Sequence, residues 1–516
     1  MSRLTDQQVH TIAERLAARL GVAPAGGSGA GAAGPHDAPL QPGAPATATA
    51  TAGALAAGQV AAGEAATYLS AQSTSGDGIF ASIDAAVEAA TTAFRRLRAA
   101  SLESRTQIIA AIREAMLREA EPLARLAHEE TGYGRVDDKT RKNRMVTQKT
   151  PGPEDLTPTA MTGDRGLALV EPAPYGVIGA ITPVTNASST LINNAIAMLS
   201  AGNSVVFNCH PNAQRVGHRT VQLINRAIVS AGGPANLLAT VAEPTIETAQ
   251  ALMSHAGVRL LVVTGGAGVV AAAMRSGKRA ICAGPGNPPV VVDETADLEQ
   301  AGRDIVLGAS FDNNIICIDE KEVFVVESVA ADLMAAMQRH GAYRLDEAQR
   351  GRVTQLIFER TAGPREPGVI NKQWIGKDAT AILHASGINV APETRLAIAE
   401  VPAEDPLVWT EQMLPVLPIV RVPSAAQAID LAVAAERGFG HTASMHSRSL
   451  DNLSRMASEI NCSIFVKNGP CYAGLGSGGE GFCSFTIASP TGEGLTGPRS
   501  FSRLRRCVLV DHFRIV

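Results

Sequence analysis

Val177-Ile-Gly-Ala-Ile-Thr-Pro-Val-Thr-Asn186-Ala-Ser-Ser189 is the stretch on which the fold turns. Val177–Ile181 is short and apolar, and Pro183 stops it at once because proline cannot donate to a sheet ladder. Residues 188–200 then carry a helical pattern that runs out at Gly202. No Asp, Glu, Lys or Arg occurs between Glu171 and Arg215. A parallel sheet covered on both faces requires this, since neither face offers water to a charge. The rhythm extends outward through Val205–Phe207, 214–230, Val258–Val263, 267–276 and Val290–Val292. It predicts alternating strands and helices with a doubly covered parallel sheet, and further alternation from Glu322–Val326 onward predicts a second α/β unit.

Upstream, Ile83, Val87, Ala90 and Phe94 share one face of a helix over 82–99. Leu102, Ile109, Ile112, Met116 and Leu123 do the same over 101–129, with Glu121–Pro122 as a break. Pro151-Gly-Pro153 and Pro158 mark a loop region. Near the start, Thr5 and Gln8 form a capping box ahead of Val9, Ile12, Leu16 and Leu20, so 4–20 read as a short amphipathic helix ended by Gly21. Residues 21–63 hold ten Gly and five Pro, with Asp37 the sole ionised residue, and no Lys or Arg occurs between Arg19 and Arg95. Such a segment buries too little apolar surface to offset its chain entropy, so 21–75 read as a disordered linker. The tethered helix is either a terminal arm, an oligomer clip, or a peptide that docks its apolar stripe into a groove.

Composition narrows the class. With 45 Lys+Arg against 49 Asp+Glu the net charge is −4, which lacks the basic excess of a nucleic-acid binder. A content of 45% hydrophobic and 18% charged residues excludes disorder throughout, and 516 residues imply at least two packed domains. No apolar run reaches the roughly 18 residues of a membrane span, and the opening Met1-Ser-Arg-Leu-Thr-Asp lacks the core of a secretory signal. Seven cysteines, none in a C-x-x-C pair and none with a histidine pattern, read as reduced cytosolic thiols without a metal site.

Four segments carry possible chemistry. Thr182-Pro183-Val-Thr-Asn186 follows a strand: Asn186 is either a helix N-cap or an amide aimed into the crevice at the sheet's carboxyl end. Thr264-Gly265-Gly266 also joins strand to helix, as a plain tight turn or a pyrophosphate site. Cys317, within Asn314-Ile-Ile-Cys317, is by its apolar neighbours a small buried hydrophobe or a nucleophile with no adjacent activating histidine. Glu411, in Trp409-Thr-Glu-Gln-Met-Leu-Pro-Val-Leu-Pro418, is a solvated carboxylate or one presented by a rigid loop.

Taken in order with Gly284-Pro-Gly-Asn-Pro-Pro289, these motifs resemble the aldehyde dehydrogenase superfamily, most of all the CoA-acylating propionaldehyde and acetaldehyde dehydrogenases of bacterial microcompartments. The resemblance covers roughly 76–516. It implies an aldehyde-dehydrogenase-like α/β fold: a Rossmann-like NAD-binding domain over 76–286, an α/β catalytic domain over 287–489, and an oligomerisation strand region from 155–170 and the tail 490–516. It implies Cys317 as nucleophile, with Asn186 and the Cys317 backbone N–H as oxyanion donors. It implies Glu411 at the nicotinamide ribose, Gly265 and Gly266 at the pyrophosphate, and Thr182, Pro183, Thr264 and Gly284 around the cofactor. Asn208 or His210 stands where the family carries a ribose-binding lysine, leaving NAD favoured over NADP only through relatives. His441 and His446 fall near the expected site and read as structural histidines.

One departure bears on the reaction. Hydrolytic members carry a glutamate before the glycine segment, whereas here Ile281-Cys-Ala-Gly-Pro-Gly286 has no carboxylate. Without that base, a thioester on Cys317 meets no activated water, while a thiol such as coenzyme A can still attack it. The resemblance therefore implies oxidation of a short-chain aldehyde to acyl-CoA by a cytoplasmic homo-oligomer, dimer or tetramer, in the lumen of a microcompartment. Residues 1–20 resemble the encapsulation peptides that bind shell protein. The rivals are a hydrolytic aldehyde dehydrogenase and a non-catalytic shell scaffold.

Overall fold

The structure is a computed structural model and describes residues 77–515. The expectations for 1–20 and 21–75 lie outside these residues.

Val177–Ile181 is a central strand, buried along its whole length. In a six-stranded sheet the spatial order is Ile79–Phe80, Leu238–Val241, Ser204–Asn208, Val177–Ile181, Val258–Thr264 and Ala280–Ala283. Every neighbouring pair is parallel. The chain leaves Val177–Ile181 toward Ser204–Asn208 and later returns on its other side as Val258–Thr264. This reversal of direction opens a crevice at the carboxyl ends of the two strands. The helix Ala187–Ser200 is buried at every position, which explains the long absence of charge in the sequence.

The second sheet has seven strands in the order Ala342–Arg344, Leu396–Glu400, Val416–Val422, Glu322–Val326, Pro289–Val292, Thr442–His446 and Ile464–Lys467. It too is wholly parallel. A third, antiparallel sheet joins Thr159–Gly163, Gly166–Pro174 and Ser502–Val510. Its last strand leaves Leu504, Val508 and Val510 exposed. After Ile464–Lys467 the chain comes back to the first sheet: Tyr472, Cys483, Phe485 and Ile487 share one apolar core with Leu191, Ile196 and Phe207. Among the described residues no helix is long and apolar enough to cross a membrane.

The N-terminal helices are Ile83–Ala99, Leu102–Arg118 and Ala120–Thr131, the first two capped by the side chains of Ser82 and Ser101. The break falls at Glu119, not at Glu121–Pro122. Pro122 lies within the first turn of the third helix, where its missing N–H costs no hydrogen bond. One element was invisible to apolar periodicity. Val136–Lys149 forms a helix in a stretch whose residues are almost all polar, yet Asp138, Lys139, Lys142 and Asn143 are buried. Its cohesion comes from ion pairs and hydrogen bonds, not from an apolar stripe.

Candidate active site

The site collects turns from opposite ends of the two sheets. From the first sheet come the turns after Val177–Ile181 and Val258–Thr264, carrying Asn186 and Gly265–Gly266. From the second come segments that lead into strands. Gly286 precedes Pro289–Val292, Cys317 precedes Glu322–Val326, Glu411 precedes Val416–Val422 and His441 precedes Thr442–His446. Because those four strands are neighbours and parallel, their entering segments meet at one end. The contact is tight. A Cβ built on Gly286 would lie 2.6 Å from the Cys317 carbonyl oxygen and 3.0 Å from His441 Cγ, so only glycine lets these segments approach. The Gly286 N–H donates to Glu411 Oε1 at 3.3 Å.

The turn before the cysteine is strained. Asp312, Asn313 and Asn314 take φ of 45°, 58° and 65°, three consecutive left-handed residues, each costing about 1–2 kcal/mol. Asn and Asp tolerate this region best, and here each is also tied down by its side chain. Asn313 Nδ2 donates to the Gly376 carbonyl and to Asp378, both at 2.9 Å. Asn314 Nδ2 donates to the Ala309 carbonyl at 2.8 Å and the Glu320 carbonyl at 2.9 Å. The Asp312 carboxylate accepts from the Arg135 N–H at 2.7 Å, from Lys139 Nζ at 3.1 Å, and from Lys142 Nζ. From the other side the buried Lys321 ammonium donates to the Asn314 carbonyl at 2.7 Å, to Asn314 Oδ1 and to the Ile316 carbonyl at 3.4 Å. Gln412 Nε2 reaches the Lys321 carbonyl at 3.1 Å, joining the Glu411 loop to the same frame.

Burial governs the protonation states. It pushes the Cys317 thiol up to about 12, with the Glu411 charge adding and Lys321 opposing. Burial also raises Glu411, against the pull of Lys321 and the Gly286 N–H. His441 is lowered to about 4 by burial, with Lys321 adding to the effect. At neutral pH the site therefore holds a thiol and a neutral imidazole. His441 Nδ1 pairs with Thr442 Oγ1 at 2.9 Å, while its buried Nε2 has no hydrogen-bond partner in the structure. When Nδ1 carries the ring proton, Nε2 is left as a free acceptor on a ring that meets the Cys317 carbonyl across Gly286.

Asn186 starts the helix Ala187–Ser200, but its side chain makes no cap hydrogen bond. Its Oδ1 accepts instead from Lys142 Nζ at 2.6 Å, and Nδ2 has only a long 3.4 Å contact to Thr185 Oγ1. Of the two readings of Asn186, the cap is not the one realised.

The remaining residues divide. The helix Ala267–Met274 has no side-chain cap, and a Cβ on Gly266 or Gly268 would meet no atom within 4 Å. Open space before an uncapped helix N-terminus fits a pyrophosphate. A Cβ on Gly265 would press to 2.8 Å on Val269. Thr264 Oγ1 pairs with Thr486 Oγ1 at 2.9 Å, and a Cβ on Gly284 would sit 3.1 Å from Pro490, so the C-terminal segment braces both. Thr182 and Pro183 stand at the carboxyl end of the central strand, the Thr182 N–H still donating to the Asn208 carbonyl at 3.3 Å. Asn208 has both ends engaged, donating to the Thr245 carbonyl at 3.3 Å and accepting from Thr248 Oγ1 at 2.6 Å. His210 Nδ1 accepts from the Asn212 N–H at 3.1 Å, and burial lowers its pKa. These two lock a neighbouring loop, while Glu411 and His441 meet at Gly286 against the Cys317 carbonyl and Asn186 is tied to the Cys317 turn through Lys142 and Asp312.

Sequence reasoning had not singled out Lys142, Asp312, Lys321 or Gly286, and it set His441 aside. One signal was available: Asp312-Asn-Asn314 is a run of the residues that enter left-handed backbone most readily.

A doubly wound sheet with an open helix N-terminus, together with a second sheet whose entering segments carry a partly buried cysteine, fits a thiol-dependent dehydrogenase class. The chain belongs to the aldehyde dehydrogenase family, whose pattern matches residues 73–353. It is 55% identical over 440 residues to the acetylating acetaldehyde dehydrogenase EutE of Salmonella typhimurium, covering 85% of this chain and 94% of that one. Among solved structures it is similar to the Rhodopseudomonas palustris propionaldehyde dehydrogenase with bound CoA and an acylated cysteine. That match has 47% identity and a TM-score of 0.82, covering 84% of this chain and 99% of the other. It is equally similar to the propionaldehyde dehydrogenase of a Clostridium phytofermentans fucose utilisation microcompartment. There the identity is 47% and the TM-score 0.83, covering 86% and 100%.

Proposed function

We propose that this chain oxidises a short-chain aldehyde to its acyl-CoA with NAD, through a thioester on Cys317. The observation that carries this reading is the site's supply of bases. Ile281–Gly286, the segment packed against the Cys317 turn, contains no carboxylate. Glu411, the partly buried carboxylate that borders it, is engaged by the Gly286 N–H. Water therefore lacks the carboxylate base that hydrolytic members carry in this segment, and a thiol does not need one of comparable strength.

Cys317 Sγ attacks the aldehyde carbonyl as its proton passes to His441 Nε2. The Asn186 amide and the Cys317 backbone N–H stabilise the oxyanion of the resulting thiohemiacetal. Gly265 and Gly266 would hold the pyrophosphate and Glu411 the ribose, and the chemistry a bound nicotinamide would supply is hydride acceptance. The sulfur of coenzyme A then bonds to the acyl carbon as its thiol proton is released to solvent, the bond to Cys317 Sγ breaks, and the Cys317 thiolate takes back the proton held on His441. Assays with NAD and propanal, with and without CoA, test this reading: sustained turnover should require CoA. Equal NADH formation in its absence would overturn the acylating assignment. Activity in Cys317→Ala would remove the nucleophile.

We further propose the division 76–286 for the cofactor domain, 287–489 for the catalytic domain, and 155–170 with 490–516 for oligomerisation. The exposed apolar side chains on Ser502–Val510 support a dimer or tetramer, and a monomer in analytical ultracentrifugation would refute it. Residues 1–20 are proposed as an address for a microcompartment shell, a reading supported by the capping box and apolar stripe. Deleting them should abolish co-purification with shells and leave kcat unchanged; undiminished recovery would end the proposal.

A further inference from the structure

Asn186 presents a problem that its own position does not solve. An asparagine at a helix start ordinarily turns its carbonyl oxygen toward the first-turn N–H groups. It could then present no fixed donor to a substrate. In this structure the oxygen is taken elsewhere. Lys142 Nζ, which can only donate, lies 2.6 Å from Asn186 Oδ1. Both side chains are buried, Lys142 to 1% and Asn186 to 8% exposure. The ammonium thus dictates which end of the amide faces it, and Nδ2 must face away. Lys142 is itself fixed by an ion pair with Asp312, whose side chain is fully buried. Asp312 opens the strained turn that leads to Cys317 and also accepts from Lys139 and the Arg135 N–H. One buried link therefore runs from the nucleophile's turn to the oxyanion donor across two otherwise separate elements.

We infer that Lys142 is a positioning residue for the reaction, holding the Asn186 carbonyl so that the Asn186 amide N–H is presented to the oxygen of the aldehyde on Cys317. This rests on the oxyanion role given to Asn186 above. Lys142 touches neither substrate nor cofactor; it acts through Asn186. Removing it frees the amide to rotate and cap its helix, and the donor is lost although the asparagine remains.

The test is a double-mutant cycle on the full-length enzyme: wild type, Lys142→Met, Asn186→Ala and the double variant, assayed for kcat with propanal, NAD and CoA. Asn186→Ala should lower kcat about 10²–10³-fold, the loss typical of one oxyanion donor. Lys142→Met should lower it at least about tenfold, and the double variant should be no slower than Asn186→Ala, because residues that act as one unit do not add. The KM for CoA should stay unchanged throughout. If the two losses multiply, or Lys142→Met keeps wild-type kcat, the inference is overturned while the role of Asn186 survives. If Asn186→Ala keeps wild-type kcat, the underlying reading falls and takes the inference with it. Should Lys142→Met fold poorly, Lys142→Gln, which keeps a polar donor toward the Asp312 carboxylate, serves in its place. In that cycle the same non-additivity with Asn186→Ala is required, and its absence counts against the inference.

Discussion

The helices Val136–Lys149 and Ala187–Ser200 are each 14 residues long and lie side by side in the interior. They reach burial by opposite routes. Ala187–Ser200 has no charge at all and is buried at every position, its apolar side chains forming part of the first sheet's core. Val136–Lys149 carries Asp137, Asp138, Lys139, Arg141, Lys142, Arg144 and Lys149, and it buries three of these charges. It is accepted because each buried charge meets a partner: Lys139 and Lys142 meet Asp312, and Asp138 meets Arg395 and the Asp312 N–H. The two helices are joined by polar contacts, with Ser188 and Ser189 donating to Asn143 Oδ1 at 2.9 Å and 2.8 Å. The apolar helix supplies cohesion that is insensitive to pH and tolerant in detail. The polar helix supplies direction: its ammonium groups decide where Asn186 points and how the Cys317 turn is held. An interior made only of the first kind would be stable and would not orient a donor.

The comparison can be broken by removing the charge that the polar helix depends on. Asp312→Ala leaves two ammonium groups buried without their carboxylate, which should cost about 3–5 kcal/mol. Urea denaturation should show this loss, with aldehyde oxidation falling in step; stability within about 1 kcal/mol of wild type would mean the pairing contributes little. In the apolar helix, Ile196→Ala should cost about 3 kcal/mol through a cavity in the core. Turnover per folded molecule should stay at the wild-type level, and a selective loss of kcat would show that this helix also directs chemistry.

A third effect, graded rather than all-or-none, concerns pH. Burial lowers Lys139 from the ordinary lysine value of 10.5 to about 8, against the pull of Asp312. Between these values the unfolded chain holds the proton more tightly than the folded one. Stability from this group is therefore present above pH 10.5 and lost as pH falls through about 8. Wild type should gain on Lys139→Met by up to about 3 kcal/mol between pH 8 and 10.5. A pH-independent difference between the two would show that Lys139 titrates alike folded and unfolded.

Much of the architecture was legible before the structure. An uncharged run with β-branched segments and a proline stop has few physical outcomes other than a buried strand and helix in a parallel sheet. The break near Glu121–Pro122 was legible to within a few residues, since proline constrains the helix interior but is harmless in a first turn. Val136–Lys149 was illegible because periodicity registers apolar stripes, whereas this helix is retained by partners as distant in the chain as Asp312 and Arg395. Within the site, Cys317, Asn186 and Glu411 were found as members of motifs. Lys321 and Gly286 were not, because their importance lies in what they touch: three acceptors of the Cys317 turn for one, the Cys317 carbonyl and His441 ring for the other.

By itself the sequence determined which segments must be buried and where strands give way to helices. Those properties are local, set by hydration of side chains and backbone preferences within a few residues. Tertiary structure alone decided that turns at the carboxyl ends of one sheet meet turns at the amino ends of another. It also decided that a lysine from a third element fixes the amide between them. Orientation of a donor is a relation between side chains distant in sequence, and it exists only once the buried charges have found each other.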